Sequence, residues 1–284
     1  MTREKIKKQS NPFSSIFSNS NYQTKKVQLP SSNLKRLVHL EIIFPKESPK
    51  GYEVYKFLFL NDGQDLRFLH FDKILEELFE ENVLKNLITI AIHAGERIQE
   101  YGVAGIPDYL GRGKQAANYQ LFLVDELFPF IRQFFNSEIK SSHTAIIGFS
   151  LGGLSAFDFA WNYPQLVSKV GIFSGSFWWR SKAFGPDYLD SDRIIHTKIN
   201  LSDKKPSLKF WFQTGTEDEK NDRNQNGIID SIEDTLDLTQ VLVKKGYSWT
   251  EDISYLEIEG GEHNPKTWSQ VMPDFLKWAF LYCN

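Results

Sequence analysis

The chain has 284 residues, 41% of them hydrophobic and 14% aromatic, enough to bury a substantial core in one large α/β domain. Its formal charge of −3 offers no basic surface for a phosphate backbone, which argues against nucleic acid as a partner, and no apolar run approaches the length of a spanning helix. The single cysteine, Cys283, excludes an internal disulfide and fits a reducing compartment.

Residues 1–26 are rich in Ser, Asn and Lys and are expected to form a loose, disordered arm, because they bury too little apolar surface to offset their ordering entropy. The arm carries charges but neither the continuous apolar core nor the small-residue cleavage site of a secretory signal. A cytoplasmic location is expected, or a periplasmic or secreted one if a leader is missing from the sequence.

From Leu37 onward, short apolar runs read as strands: "RLVHLEIIF", "VYKFLFL", "LITIAIH", "TAIIG", "KVGIF", "LKFWFQT" and "ISYLEI". Between them lie helix candidates, among them "FDKILEELFEE", "LGGLSAFDFAWNYP", "DTLDLTQVLVKKG" and "PKTWSQVMPDFLKWAF"; Pro273 is expected to kink the last or delay its start. This alternation predicts a mostly parallel central sheet with helices on both faces, in a single domain over residues 27–284.

Within "TAIIGFSLGGLSAF", a strand leads through Gly148, Phe149, Ser150, Leu151 and Gly152 into a helix, the setting of a nucleophile elbow. Glycines flank the serine because side chains there would collide across the tight bend. Ser150 would then stand at a helix N-terminus, where free N–H groups favour an oxyanion.

A serine hydroxyl needs a base and an orienting acid. Only His196 and His263 follow Ser150. His196 has no strand end to aim it, whereas His263 lies where "ISYLEIEGG" gives way to a helix opened by Pro265, and is the expected base. The preceding strand delivers Glu217, Asp218 and, further on, Asp222; Asp218 is favoured as the acid, with the other two as alternatives. The Asp62–Gly63 turn after "YKFLFL" would present the Gln64 amide as one oxyanion donor beside that of Leu151.

"DRNQNGIIDSIE", residues 222–233, matches a calcium loop, with Asp222, Asn224, Asn226, Gly227, Asp230 and Glu233 at positions 1, 3, 5, 6, 9 and 12. The ligands would be the side chains of Asp222, Asn224, Asn226, Asp230 and Glu233 and the Ile228 carbonyl. A strand and an acidic turn replace the entering helix, and no second loop follows, so a lone structural Ca²⁺ clip of moderate affinity is expected rather than a sensor. Starting four residues after Asp218, the clip would rigidify the segment carrying that acid.

These segments together resemble the α/β-hydrolase esterases of the enterochelin-esterase-like group, and more distantly S-formylglutathione hydrolases, feruloyl esterases and mycolyltransferases. The resemblance covers roughly residues 35–282 through "FLNDGQD", "ERIQEYGVAGIPDYLGRGKQAANY", "IIGFSLGGLSAFDFAW", "FSGSFWW", "TGTEDE" and "EGGEHNPKTW". It implies serine-dependent hydrolysis of a small-molecule ester without an organic cofactor, with Ser150 as nucleophile, His263 as base, Asp218 as acid and amides of Gln64 and Leu151 for the oxyanion. Trp178 and Trp179 would sit near the mouth of the site and line an acyl or aryl pocket, with core packing the competing role for at least one. Arg97, Glu100 and Tyr101 resemble a recurrent segment of the group in which an Arg–Glu pair clamps a long loop. Acyl transfer by the same residues, or a non-catalytic calcium-stabilised binding module, are the alternative functions.

Overall fold

The computed structural model describes residues 20–47 and 54–282. Residues 1–19 of the expected arm, and Cys283, lie outside them.

One sheet of eight strands organises the described residues: β1 (Tyr22–Ser31), β2 (Arg36–Pro45), β3 (Lys56–Asn61), β4 (Leu87–Ile92), β5 (Thr144–Phe149), β6 (Lys169–Phe173), β7 (Lys209–Glu217) and β8 (Ile253–Glu262), in the order β1-β2-β4-β3-β5-β6-β7-β8. The run from β4 to β8 is parallel throughout, while β2 joins β4, and β1 joins β2, antiparallel. Tyr22–Lys26, expected to be part of the arm, instead pair with β2 from Pro45 to Glu41. An edge strand needs only one apolar face, and Lys25, Lys26 and Pro30 guard this one against further pairing.

Helices cover both faces. They are α1 (Phe71–Glu80), α2 (Arg97–Glu100), α3 (Ala116–Leu121), which runs on through a π-helical segment (Phe122–Leu127) into α4 (Phe128–Phe135), then α5 (Leu151–Asn162), α6 (Ile194–Leu201), α7 (Asp230–Lys244) and α8 (Pro265–Lys277). Strand residues alternate between the two layers: Phe57 and Phe59 of β3 pack with Phe128, Phe157 and Leu154, and Leu58 and Leu60 with Phe71, Leu75 and Phe275. Helix α5 is buried along nearly its whole length, as "LGGLSAFDFAW" requires. Pro273 neither delays nor ends α8, which opens at Pro265 and passes into a π-helical turn at Trp278–Tyr282. Among the described residues no helix is long and apolar enough to cross a membrane.

Candidate active site

In a parallel sheet all strands release their chains at one edge, and ligands bind outside those carboxyl ends. Five adjacent strands here deliver polar residues to that edge: Asp62 after β3, Ser150 after β5, Ser174 and Ser176 after β6, Asp218 after β7 and His263 after β8.

Ser150 has φ 54° and ψ −121°, a strained conformation that costs on the order of 1–3 kcal/mol and persists only where surroundings enforce it. The enforcement comes from the end of β6: the Ser150 N–H donates to the Phe173 carbonyl at 2.8 Å, and the Ser150 carbonyl accepts from the Ser176 N–H at 3.1 Å. The flanking glycines leave room for the bend, since a Cβ on Gly148 would lie 2.1 Å from the Gly152 carbonyl oxygen. The Ser150 hydroxyl meets the buried Ser176 hydroxyl at 3.2 Å. Leu151 is the first residue of α5, where a backbone N–H has no carbonyl a turn earlier to bond.

Of the three acidic candidates, Asp218 faces the imidazole: His263 Nδ1 lies 4.0 Å from Asp218 Oδ1, with the carboxylate fully buried and the imidazole 37% exposed. That spacing is longer than a hydrogen bond, and such pairs commonly tighten only around substrate. Glu217 is exposed, and Asp222 is engaged within its own loop. Asp218 Oδ1 accepts the Ser174 hydroxyl at 3.0 Å, while Oδ2 is buried without a hydrogen-bond partner among the described residues. Burial pushes the Asp218 carboxyl up. Burial also holds the His263 imidazole below its ordinary value; the Asp218 charge opposes this and the Arg97 charge adds to it.

His263 owes its position to the start of α8. Asn264 is the N-cap, its side chain accepting from the Thr267 N–H at 3.1 Å, and the Thr267 hydroxyl accepts in return from the Glu262 N–H at 2.9 Å. His263 thus occupies the position before the cap and Trp268 the fourth helical position, the pair that packs in a staple. Their rings meet edge to face at 5.5 Å. His196, by contrast, is a core residue, its Nε2 2.8 Å from the Asp234 carbonyl oxygen and its pKa lowered to about 3, chiefly by burial. His93 lies beside Glu41, and His39 stacks on it.

The turn carrying Gln64 is tightly held. Asp62 is buried in the left-handed region at φ 61°, its N–H donates to the Tyr101 hydroxyl at 3.0 Å, and Asn61 donates to the Gly152 carbonyl at 2.8 Å. Arg97 clamps the Asp62 carboxylate at 2.8 and 2.9 Å. The expected Arg97–Glu100 pairing is therefore not the one formed. Glu100 points the other way, to Arg36 at 2.6 Å, because α2 is a single turn whose ends face different neighbours.

The two tryptophans separate. Trp179 is fully buried against Gly102 and Gly113 and belongs to the core, which corrects its expected place in a pocket. Trp178 lines a cavity of about 560 Å³ with Arg180, Phe184, Glu219 and Asn221, between the segments leaving β6 and β7.

Asp222 accepts from the N–H groups of Asn226 and Gly227, and Glu233 Oε1 accepts from the amides of Asn224 and Asn226, so the 222–233 segment curls around its acidic groups. Arg223 stands among them, 3.3 Å from Asp230, 2.9 Å from Glu233 and 2.8 Å from Asp234. Among the described residues no three His, Cys, Asp or Glu side chains are gathered closely enough to hold a metal by themselves.

Sequence reasoning missed Ser174, Ser176 and the Asp62–Arg97 pair. "FSGSFWW" marked the first two only as a strand end, and Arg97 is 35 residues from its partner.

The family described as "Putative esterase" matches residues 31–279. "Uncharacterized protein YbbA" of Bacillus subtilis (strain 168) is 26% identical over 229 residues, covering 78% of this chain and 84% of its own. Among solved structures, the enterobactin esterase FES of Shigella flexneri superposes with a TM-score of 0.71 at 18% identity over 90% of this chain, which spans only 58% of that one. An IroE-like serine hydrolase from Shewanella oneidensis gives 0.62 at 19% identity, over 89% of this chain and 78% of its own. FphF, a fluorophosphonate-binding serine hydrolase of Staphylococcus aureus, gives 0.61 at 16% identity, over 91% of this chain and 97% of its own. These structures share the fold. With its family match covering most of its length, the chain belongs to the "Putative esterase" family and is a carboxylic ester hydrolase on an α/β-hydrolase scaffold.

Proposed function

We propose that the chain cleaves small-molecule carboxylic esters through an acyl-enzyme on Ser150, with His263 as base and Asp218 as orienting acid. The observation that supports this most is the convergence at one sheet edge of a strained serine at a helix N-terminus and a buried Asp facing a half-open His. Asp218 faces Nδ1, so Nδ1 carries the proton and Nε2 is free to take that of Ser150. Ser150 Oγ attacks the ester carbonyl, the backbone N–H groups of Leu151 and Gln64 stabilise the oxyanion, and His263 returns the proton to the departing alcohol. Water, activated by the same imidazole, then releases the acid. Trp178 is the aromatic side chain proposed to meet the acyl or aryl part of the substrate, on the rim of a cavity otherwise lined mainly by polar groups, Asp222, Arg223 and Asp230 among them.

A structural Ca²⁺ in the 222–233 loop belongs to the same proposal. The donor set is all oxygen, as a hard cation requires, and would comprise Asp222, Asn224, Asn226, Asp230, Glu233 and the Ile228 carbonyl. Binding requires Asp230 and Glu233 to exchange Arg223 for the ion. It supplies loop rigidity near Asp218 and no chemistry.

The test is hydrolysis of a short-chain p-nitrophenyl ester by the protein and its Ser150→Ala variant. A loss of about a thousandfold or more is expected; equal activity in both proteins would refute the serine mechanism.

A further inference from the structure

Asp218 is too deeply buried for water to orient it, and among the described residues one of its oxygens has no hydrogen-bond partner, so its position depends on the Gly215 backbone N–H and on the side chain that reaches the other oxygen. Oδ1 receives the Ser174 hydroxyl at 3.0 Å, and the Ser174 oxygen itself receives the Trp268 indole N–H at 2.9 Å. An indole nitrogen can only donate. It therefore occupies an acceptor position on Ser174 and leaves the single hydroxyl proton to point at the carboxylate. Ser174 is fixed at φ 48°, its own N–H donating to the Gln213 carbonyl of β7 at 2.8 Å. Trp268 stacks on Phe149, immediately before Ser150, at 4.9 Å, and packs edge to face on His263 at 5.5 Å.

We propose that Trp268 and Ser174 form a directed donor chain, indole N–H to hydroxyl to carboxylate, that holds Asp218 ionised and aimed at His263, with the Trp268 ring setting the spacing between base and nucleophile. Both are positioning residues, since neither touches the reacting atoms. The inference rests on the assignment of Asp218 and His263 as acid and base. The other titratable groups around the pair are Arg97 toward His263, Tyr255 of β8, and Glu219 beside Asp218 in the chain. Among these only Arg97 is a cation, and it acts on His263; on the acid side the neutral donors to the carboxylate are the Gly215 backbone N–H and Ser174, and Ser174 is the side chain a substitution can remove.

The experiment is the pH profile of kcat/KM for p-nitrophenyl acetate with wild type, Ser174→Ala, Trp268→Phe and the double variant. Removing the Ser174 hydroxyl leaves the Asp218 charge with one donor fewer, so it acts more strongly on His263, whose protonation sets the acid limb. The acid limb should rise by up to about one pH unit, the most that one hydrogen bond to a charged group can transmit. Trp268→Phe keeps the ring but frees the hydroxyl to rotate, so its shift should be smaller and in the same direction. A chain predicts that the double variant is shifted no further than Ser174→Ala alone. An unmoved acid limb in Trp268→Phe, or shifts that simply add, would overturn the proposal; the Phe variant carries the test should Ser174→Ala fail to fold. Asp218→Asn in the same assay separates the two levels. If it retains wild-type activity, the acid assignment fails; if it loses activity a thousandfold while the other variants keep the wild-type profile, only the donor chain fails.

Discussion

Arg97 grips both oxygens of the buried Asp62 carboxylate, at 2.8 and 2.9 Å, and gives a further N–H to the Phe149 carbonyl at 3.1 Å. One guanidinium thus ties the proposed oxyanion turn after β3 to the last residue before the nucleophile on β5. Arg97→Leu removes the tie and strands a buried charge. The expected loss is about 2–3 kcal/mol, short of the full cost of breaking a buried pair because Arg97 is itself 38% exposed. The kcat should fall about tenfold to a hundredfold with little change in KM, since the turn acts on the oxyanion and not on ground-state binding. Steady-state kinetics and thermal melts check both; a change confined to KM would point to substrate contact by Arg97 instead.

The base must be neutral to accept the Ser150 proton. Burial and the Arg97 charge hold His263 below its ordinary value, outweighing the opposing Asp218 charge, so the neutral form persists to lower pH. The acid limb of kcat/KM in the wild type should therefore have its midpoint below about 6.5, the unperturbed histidine value. A midpoint well above it would show that Asp218 dominates the imidazole.

His196 offers a control for the choice of base. Its imidazole is neutral, buried and bonded to the Asp234 carbonyl, and it packs edge to face on Phe177. His196→Gln should lower Tm by several degrees, through a lost buried contact worth about 1–3 kcal/mol, and leave kcat within a few-fold. His263→Gln should do the reverse, preserving Tm and abolishing turnover. Paired melts and rates distinguish them.

Calcium added to chelator-treated protein should raise Tm by a few degrees and leave the Ser150 chemistry intact, because a ligand that binds only the folded state stabilises by mass action. Arg223→Ala should tighten that binding, since the guanidinium competes for Asp230 and Glu233. Scanning calorimetry with and without EGTA measures this. If Tm does not respond to the ion in either protein, the loop does not bind calcium; a response in Arg223→Ala alone would make Arg223 the loop's permanent counter-charge.

What could be read from the sequence was what local sterics dictate. The elbow was legible because Gly148 and Gly152 face each other across a bend that admits no side chain. His263 was legible because a strand, a Gly-rich turn and Pro265 mark one loop end. Lost from view was everything decided by distant neighbours. Nothing local says that Arg97 turns to Asp62 and Glu100 to Arg36, or that Trp179 and not Trp178 enters the core. Strand β1 was missed because its exposed positions carry lysines that resemble those of a loose arm. Ser174 hid in an ordinary Ser-Gly turn, and only its approach to Asp218, 44 residues later, gives it a role.

The most direct measurement is to react the folded protein with a fluorophosphonate and locate the adduct by peptide mass spectrometry. A single adduct on Ser150, lost in Ser150→Ala and slowed at least a hundredfold in His263→Gln, is the expected result. An adduct on any other serine, or labelling that survives both substitutions, would contradict Ser150 as the nucleophile.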